Sequence, residues 1–182
     1  MRTIIFLALF CLSFTAKAVS LCYGDNDMSA GSCFKGIALN TGTRFAWAYV
    51  TGSGFWNSDA RITTYADNGN ASPPPATWNF KTPVKGDVWF SVWIPSKNAT
   101  ARIVYYTASC YGPNGSGYGR TLKNIDQLNY SAQWVTIGNV GTLPAGSSCY
   151  VTASKYLTNA EIRNGGQSST KMAIDGMKMS IY

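Results

Sequence analysis

The chain contains no histidine. That absence removes the Ser-His-Asp triad and the Cys-His pair from consideration, because both need an imidazole to move the proton. Acids are scarce too, eight in 182 residues: Asp25, Asp27, Asp59, Asp67, Asp87, Asp126, Glu161 and Asp175. Glycoside hydrolysis needs two facing carboxyls, and none of these acids sits in a suggestive motif. Most fall in turns or at strand ends, where a solvated acid is the ordinary finding; Asp59 and Asp175 read as structural partners of Arg61 or of backbone amides. The expectation is a non-catalytic protein, with hydrolysis as the lesser reading. Charged residues make up 13 % of the chain, and although the formal net charge is +7, no basic run or basic helix concentrates it. This argues against nucleic acid as a partner. Long apolar runs are absent beyond the N-terminus, so no integral membrane association is expected.

The single apolar run, Ile4 to Phe14, follows Met1-Arg2 and ends in Thr-Ala-Lys-Ala18. A positive start, a short apolar stretch and an Ala-x-Ala ending form the pattern of a removable export signal. Cleavage is expected after Ala18, giving residues 1–18 as signal peptide and a secreted or periplasmic mature chain. Phe10 and Leu21, which precede Cys11 and Cys22, are wrong for lipidation. Removing Arg2 and Lys17 with the signal lowers the net charge from +7 to +5.

Four cysteines remain: Cys22, Cys33, Cys110 and Cys149. An even set in an oxidising compartment reads as two disulfides, for which three pairings are open. We favour Cys22 with Cys33, closing a local loop in residues 19–37, and Cys110 with Cys149, clipping two strand candidates together. Zinc is not expected, since the spacings are wrong, and no cofactor is implied. Asp25, Asn26 and Asp27 offer the oxygens calcium wants; the same residues after Gly24 also make a plain turn.

The most regular stretch is Lys85 to Pro95, KGDVWFSVWIP. Val88, Phe90, Val92 and Ile94 alternate with Trp89, Ser91 and Trp93, which is the period of a β-strand. Further strands are expected over Phe45–Val50, Ala60–Tyr65, Thr77–Lys81, Arg102–Thr107, Gln133–Gly138, Cys149–Ala153 and Met172–Ile181, separated by Gly, Pro and Asn clusters. A helical turn has room only at Leu122–Leu128 or Ser154–Arg163. Many short strands without crossover helices make an all-β, antiparallel sandwich of a single domain.

The order of the motifs resembles the golvesin-like domain, also found at the C-terminus of xanthan-lyase-type proteins. The resemblance rests on Thr51-Gly-Ser-Gly-Phe-Trp56, Asp59-Ala-Arg61, Ala76-Thr-Trp78-Asn-Phe80 and the Val-x-Phe-x-Val-x-Ile-Pro95 strand. It continues through Asn98-Ala-Thr100, Gln133-Trp134-Val-Thr-Ile-Gly138, Leu143-Pro-Ala-Gly146 and Ala173-Ile-Asp175-Gly-Met-Lys. It covers residues 38–182 and implies a jelly-roll-like β-sandwich serving as a non-catalytic carbohydrate-binding accessory module. The stretch from Cys110 to Tyr130 is longer than the usual family connection, and the cysteines are not part of the family pattern.

Aromatics stand at 14 %, and a sugar ring offers an apolar C–H face with a hydroxyl rim that suits flat aromatic surfaces. Trp89 and Trp93 share the non-aliphatic face of their strand, about 13 Å apart at ~3.3 Å per residue. Two readings stand for them: a binding platform, or a face covered by the 110–130 loop or by the N-terminal segment carrying Tyr23 and Phe34. Trp56, after a glycine-rich turn, and Tyr111 and Tyr118, in a glycine-rich loop, complete the candidate ligand-binding set. Trp78 and Trp134 are expected in the core. The expected partner is a polysaccharide or other glycan, acidic glycans included; the alternative is a membrane surface or a protein partner, although no detachable amphipathic helix supports the former.

Overall fold

A computed structural model describes residues 20–24, 33–39, 45–65, 75–155 and 171–182. The leader, the Asp25–Asp27 cluster and most of the 154–163 stretch lie outside the described residues. The described residues form twelve strands: β1 (Ser20–Gly24), β2 (Phe34–Leu39), β3 (Phe45–Thr51), β4 (Asp59–Tyr65), β5 (Ala76–Lys81), β6 (Gly86–Ile94), β7 (Val104–Tyr111), β8 (Gly117–Ile125), β9 (Gln133–Leu143), β10 (Ser148–Lys155), β11 (Ala173–Ile174) and β12 (Met177–Ile181). The front sheet runs β1-β12-β6-β9, the back sheet β2-β5-β10-β7-β8, and a short third sheet β11-β4-β3. Every pairing is antiparallel. The all-β sandwich expected from the alternation is the observed fold.

Alternation decides which side chains form the core. Val88, Phe90, Val92 and Ile94 are fully buried, as are Trp78 on β5, Tyr106 on β7 and Val151 on β10. Phe80 of the back sheet meets Phe90 of the front sheet at 5.8 Å between ring centroids, and Phe34 at 5.4 Å. Burying each such side chain contributes about 1.5–3 kcal/mol. Trp78 thus lies in the core, as expected.

Both disulfides join the favoured partners, Cys22–Cys33 and Cys110–Cys149. Cys22 lies on an edge strand of the front sheet and Cys33 directly precedes an edge strand of the back sheet, so the first bridge ties the two layers together. Cys110 and Cys149 are direct cross-strand partners on β7 and β10. Two disulfides fit a chain that folds in an oxidising compartment. Among the described residues, no helix is long and apolar enough to cross a membrane.

Three strands depart from expectation. β1 and β2 carry little period of their own and are held by β12, β5 and the first disulfide. The 110–130 stretch is a hairpin rather than a covering loop: β8 pairs with β7 through a turn in which Gly112 N–H donates to the Ser116 carbonyl at 2.8 Å. The helical turn expected over Leu122–Leu128 is instead strand to Ile125 and a short 3-10 turn at Gln127–Asn129. Asp126 starts that turn by accepting from Leu128 N–H.

Gln127, fully buried, uses both ends of its amide on one residue: Nε2 donates to the Ala173 carbonyl at 2.8 Å, and Oε1 accepts from Ala173 N–H at 3.2 Å. It thereby substitutes for a missing strand beside β11. Tyr106, also fully buried, has its phenol pushed well above the ordinary tyrosine range by desolvation, against a smaller opposing effect of the Gln127 side chain.

Two outcomes are expected. Gln127→Met keeps the volume but strands both backbone groups of Ala173, and should cost about 2–4 kcal/mol in urea unfolding. For Tyr106, the folded-state pKa lies above the unfolded value of 10.0, so its contribution is fully present below that pH and declines as pH climbs beyond it, by about 1.4 kcal/mol per pH unit. Urea midpoints above that pH should therefore fall more steeply for the wild type than for Tyr106→Phe. Equal slopes would mean the phenol ionises without unfolding.

Candidate functional site

The front sheet turns an aromatic face outward. Register places Trp89, Ser91 and Trp93 of β6 beside Ser180 and Lys178 of β12 and beside Thr136 and Trp134 of β9, with Tyr23 of β1 across from Lys178. Four rings gather at one end. Trp134 is the hub: its ring centroid lies 5.8 Å from Tyr23, 5.3 Å from Trp56 and 5.6 Å from Trp93, and Tyr23 and Trp56 are 5.6 Å apart. Lys178 Nζ stands 5.0 Å from the Trp134 ring centroid, a cation–π distance. Tyr23 is 45 % exposed and Trp89 38 %, while Trp56, Trp93 and Trp134 are half-buried. Hydroxyls floor the space between the rings: Ser91 Oγ and Thr136 Oγ1 are 3.3 Å apart.

The core position expected for Trp134 is thus corrected. Val135 and Ile137 are the buried residues of β9, so strand alternation turns Trp134 outward, opposite Trp93. That alternation was present in Gln-Trp-Val-Thr-Ile, and two β-branched aliphatics outweigh one indole as the inward face.

Trp56 reaches the cluster through a tight turn. Its backbone N–H donates to Asp175 Oδ2 at 2.7 Å, and Asn57 and Ser58 follow at φ 53° and 69°, in the left-handed region. Asp175 and Gly176 interrupt the last strand, so that β11 pairs with β4 while β12 pairs with β6. The Gly176 carbonyl accepts from Trp93 N–H at 2.8 Å. A Cβ on Gly176 would stand 2.3 Å from the Trp56 ring and 3.0 Å from that of Trp134.

Tyr111 and Tyr118 are not brought to this face. Tyr111 projects from the back sheet and meets Tyr150 at 6.2 Å; Tyr118 is half-buried against the core, its hydroxyl 3.4 Å from Ser116 Oγ. The back sheet's outside is a hydroxyl surface, with Thr77, Thr152, Thr107 and Thr121 in register across four strands. Of the two alternatives for Trp89 and Trp93, the hairpin does not close over them. Tyr23 joins the rings, and Phe34 goes into the core.

Each described acid serves as a hydrogen-bond acceptor. Asp59 takes the Tyr49 hydroxyl, Asp87 that of Thr142, Asp126 the Leu128 N–H and Asp175 the Trp56 N–H. Among the described residues, no group of three or more Cys, Asp or Glu is placed to hold a metal ion.

No protein-family model matches the chain, and no curated protein is significantly similar to it. Its fold is similar to part of xanthan lyase from Paenibacillus, with TM-score 0.56 and 15 % identity over 89 % of this chain and 13 % of that one. The chain therefore corresponds to a small fraction of that enzyme's length, and at this identity the likeness speaks for the fold alone. Weaker likenesses are a β-(1,4)-mannanase from Podospora anserina, at TM-score 0.38 and 13 % identity over 89 % of this chain and 28 % of that one, and the cleaved adhesin domain of Lys-gingipain from Porphyromonas gingivalis, at 0.37 and 13 % over 89 % and 95 %.

The cluster's geometry predicts the behaviour of Gly176→Ala. No backbone penalty applies, because Gly176 does not adopt a positive φ, so the methyl acts only by contact. It should push Trp56 off the sheet, costing about 1–3 kcal/mol and shifting tryptophan emission to the red. Unchanged emission would mean Trp56 is not seated there.

Proposed function

We propose that the chain is an exported, non-catalytic carbohydrate-binding module of golvesin-like type, its signal peptide removed after Ala18, which recognises polysaccharide through the front-sheet aromatics. The observation that carries this reading is the outward row of Trp89, Trp93, Trp134, Trp56 and Tyr23 over a floor of hydroxyls. Flat rings accept the C–H faces of sugars, and the exposed Thr136 hydroxyl, backed by the buried Ser91, can meet their hydroxyl rims. The chemistry available in the described residues fits binding better than catalysis, because each described carboxylate already accepts a hydrogen bond within the fold. A glycan, rather than a membrane or a protein, is favoured because Trp89 and Trp93 are separated by Ser91 along β6 and the aromatic cluster is bordered by Thr136 and Lys178, which supplies polar groups beside each ring surface.

The test is retention on an array of neutral and acidic polysaccharides. Trp89→Ala removes an exposed ring that lies outside the Trp134 cluster; exposed positions cost little stability, so the thermal midpoint should hold while retention falls by about tenfold or more. Trp93 and Trp134 are poorer probes, since each supports the other. Tyr111→Ala, on the opposite sheet, serves as the comparison, and loss of retention there alone would move the site to the back sheet.

A further inference from the structure

At the open edge of the sandwich, β8 of the back sheet approaches β9 of the front sheet. A groove of about 170 Å³ lies between them, lined by Trp89, Arg120, Thr121, Leu122, Gly138 and Asn139. Arg120 is exposed, and its guanidinium is held by Asn139, with Nη1 donating to Oδ1 at 3.2 Å and to the carbonyl at 3.4 Å. Gly138, at φ 139°, shifts the β9 register against β6, and Leu122 lies over it, so the groove is walled by fixed backbone and an apolar side chain. No lining residue is acidic. Lys178 and Asp175 both lie beside the Trp134 cluster, Asp175 accepting from Trp56 N–H, and Asp87, two residues before Trp89, accepts the Thr142 hydroxyl.

We infer that this groove is a subsite for a carboxylate-bearing sugar, in which the Trp89 ring carries the pyranose face and Arg120 takes the carboxylate, so that the module's ligand is a polyuronate-type acidic polysaccharide. The inference rests on the carbohydrate reading of the front sheet. Two features point the same way. A guanidinium offers a planar two-donor fork that matches the two oxygens of a carboxylate. Asn139 pre-orients it through long bonds that a stronger acceptor would replace at little cost. Trp89 shares β6 with Trp93, one ring of the Trp134 cluster, so a chain seated in the groove continues over the aromatic face.

The test uses the disulfide-bonded full chain and measures affinity for polygalacturonate, its methyl ester and dextran sulfate, for wild type, Arg120→Ala, Arg120→Lys and Lys123→Ala. Lys123 lies on the same strand but outside the groove lining, so its removal subtracts the same charge elsewhere. The expected result is about a tenfold preference of wild type for the acid over its ester. Arg120→Ala should collapse that preference to near unity, Arg120→Lys should recover part of it, and Lys123→Ala should retain it. Equal binding of acid and ester by wild type overturns the subsite while leaving the glycan reading in place. Binding to no glycan overturns both. Equal losses for Lys123→Ala and Arg120→Ala, or dextran sulfate held as tightly as polygalacturonate, would reduce the effect to undirected charge and also overturn it.

Discussion

A single carboxylate–amide contact, Asp175 Oδ2 to Trp56 N–H, governs how the front of the molecule is built. Asp175 is fully buried at the point where the last strand leaves one sheet for another. A strand that switches partners must interrupt its ladder, and the backbone groups freed there need new partners. Gly176 supplies one by accepting from Trp93, and the missing Cβ leaves space for two indoles. The turn at 56–58 then follows, with left-handed Asn57 and Ser58 held in place by the same anchor. A topological break in the sheet and the seating of an aromatic cluster are therefore one arrangement. The strain of two non-glycine left-handed residues, about 1–3 kcal/mol each, is offset by the Asp175–Trp56 hydrogen bond and the ring contacts it permits.

The two outer faces of the sandwich show what this arrangement achieves. The back sheet carries a register of threonines, two of which bond to each other through their hydroxyls at 3.0 Å. Its exposed rings are the tyrosines Tyr111 and Tyr150, not indoles. The front sheet concentrates indoles, and these contact one another at fixed angles, for example 70° between Trp93 and Trp134. Rings so packed lose little rotamer freedom when a ligand arrives, which reduces the ordering cost of association. Trp89 stands apart from the cluster and is supported instead by the β8–β9 groove.

Much of this is legible in the sequence. The KGDVWFSVWIP alternation assigns β6 and its inward face, because four apolar residues at alternate positions, Val88, Phe90, Val92 and Ile94, leave no competing period. The disulfide partners followed from one short loop and one pair of strand ends. Trp134 was misread because the golvesin-like motif was given more weight than the alternation of its own neighbours. β1, β2 and β8 were missed for a different reason: they lack a strong period and exist through pairing with β12, β5 and β7, a tertiary cause that local pattern does not contain. Tyr23 reaches the aromatic face, as the covering alternative had it, because β1 joins β12. The interruption at Asp175-Gly176 reads in sequence as the middle of a ten-residue strand. Only the competition between β4 and β6 for that strand reveals the break.

The shape of the front face also limits the kind of recognition it supports. A sheet surface is open, so a ligand laid across it keeps one side in water, and no contact there gains the strength of full burial. Affinity on such a surface comes from several modest contacts spread along an extended ligand, and specificity from the few polar groups whose geometry is fixed. Here the spread is set by the strand, with Trp89 and Trp93 four residues apart, and the polar group at the edge groove is Arg120, bonded to Asn139. Under the carbohydrate reading proposed above, an extended polymer would meet both conditions, because one chain could engage the separated rings and the edge groove together, each contact raising the effective concentration for the next. A free monosaccharide would engage only one of them, so on that reading the spacing of the rings, more than the chemistry of any single one, would select for a polymer.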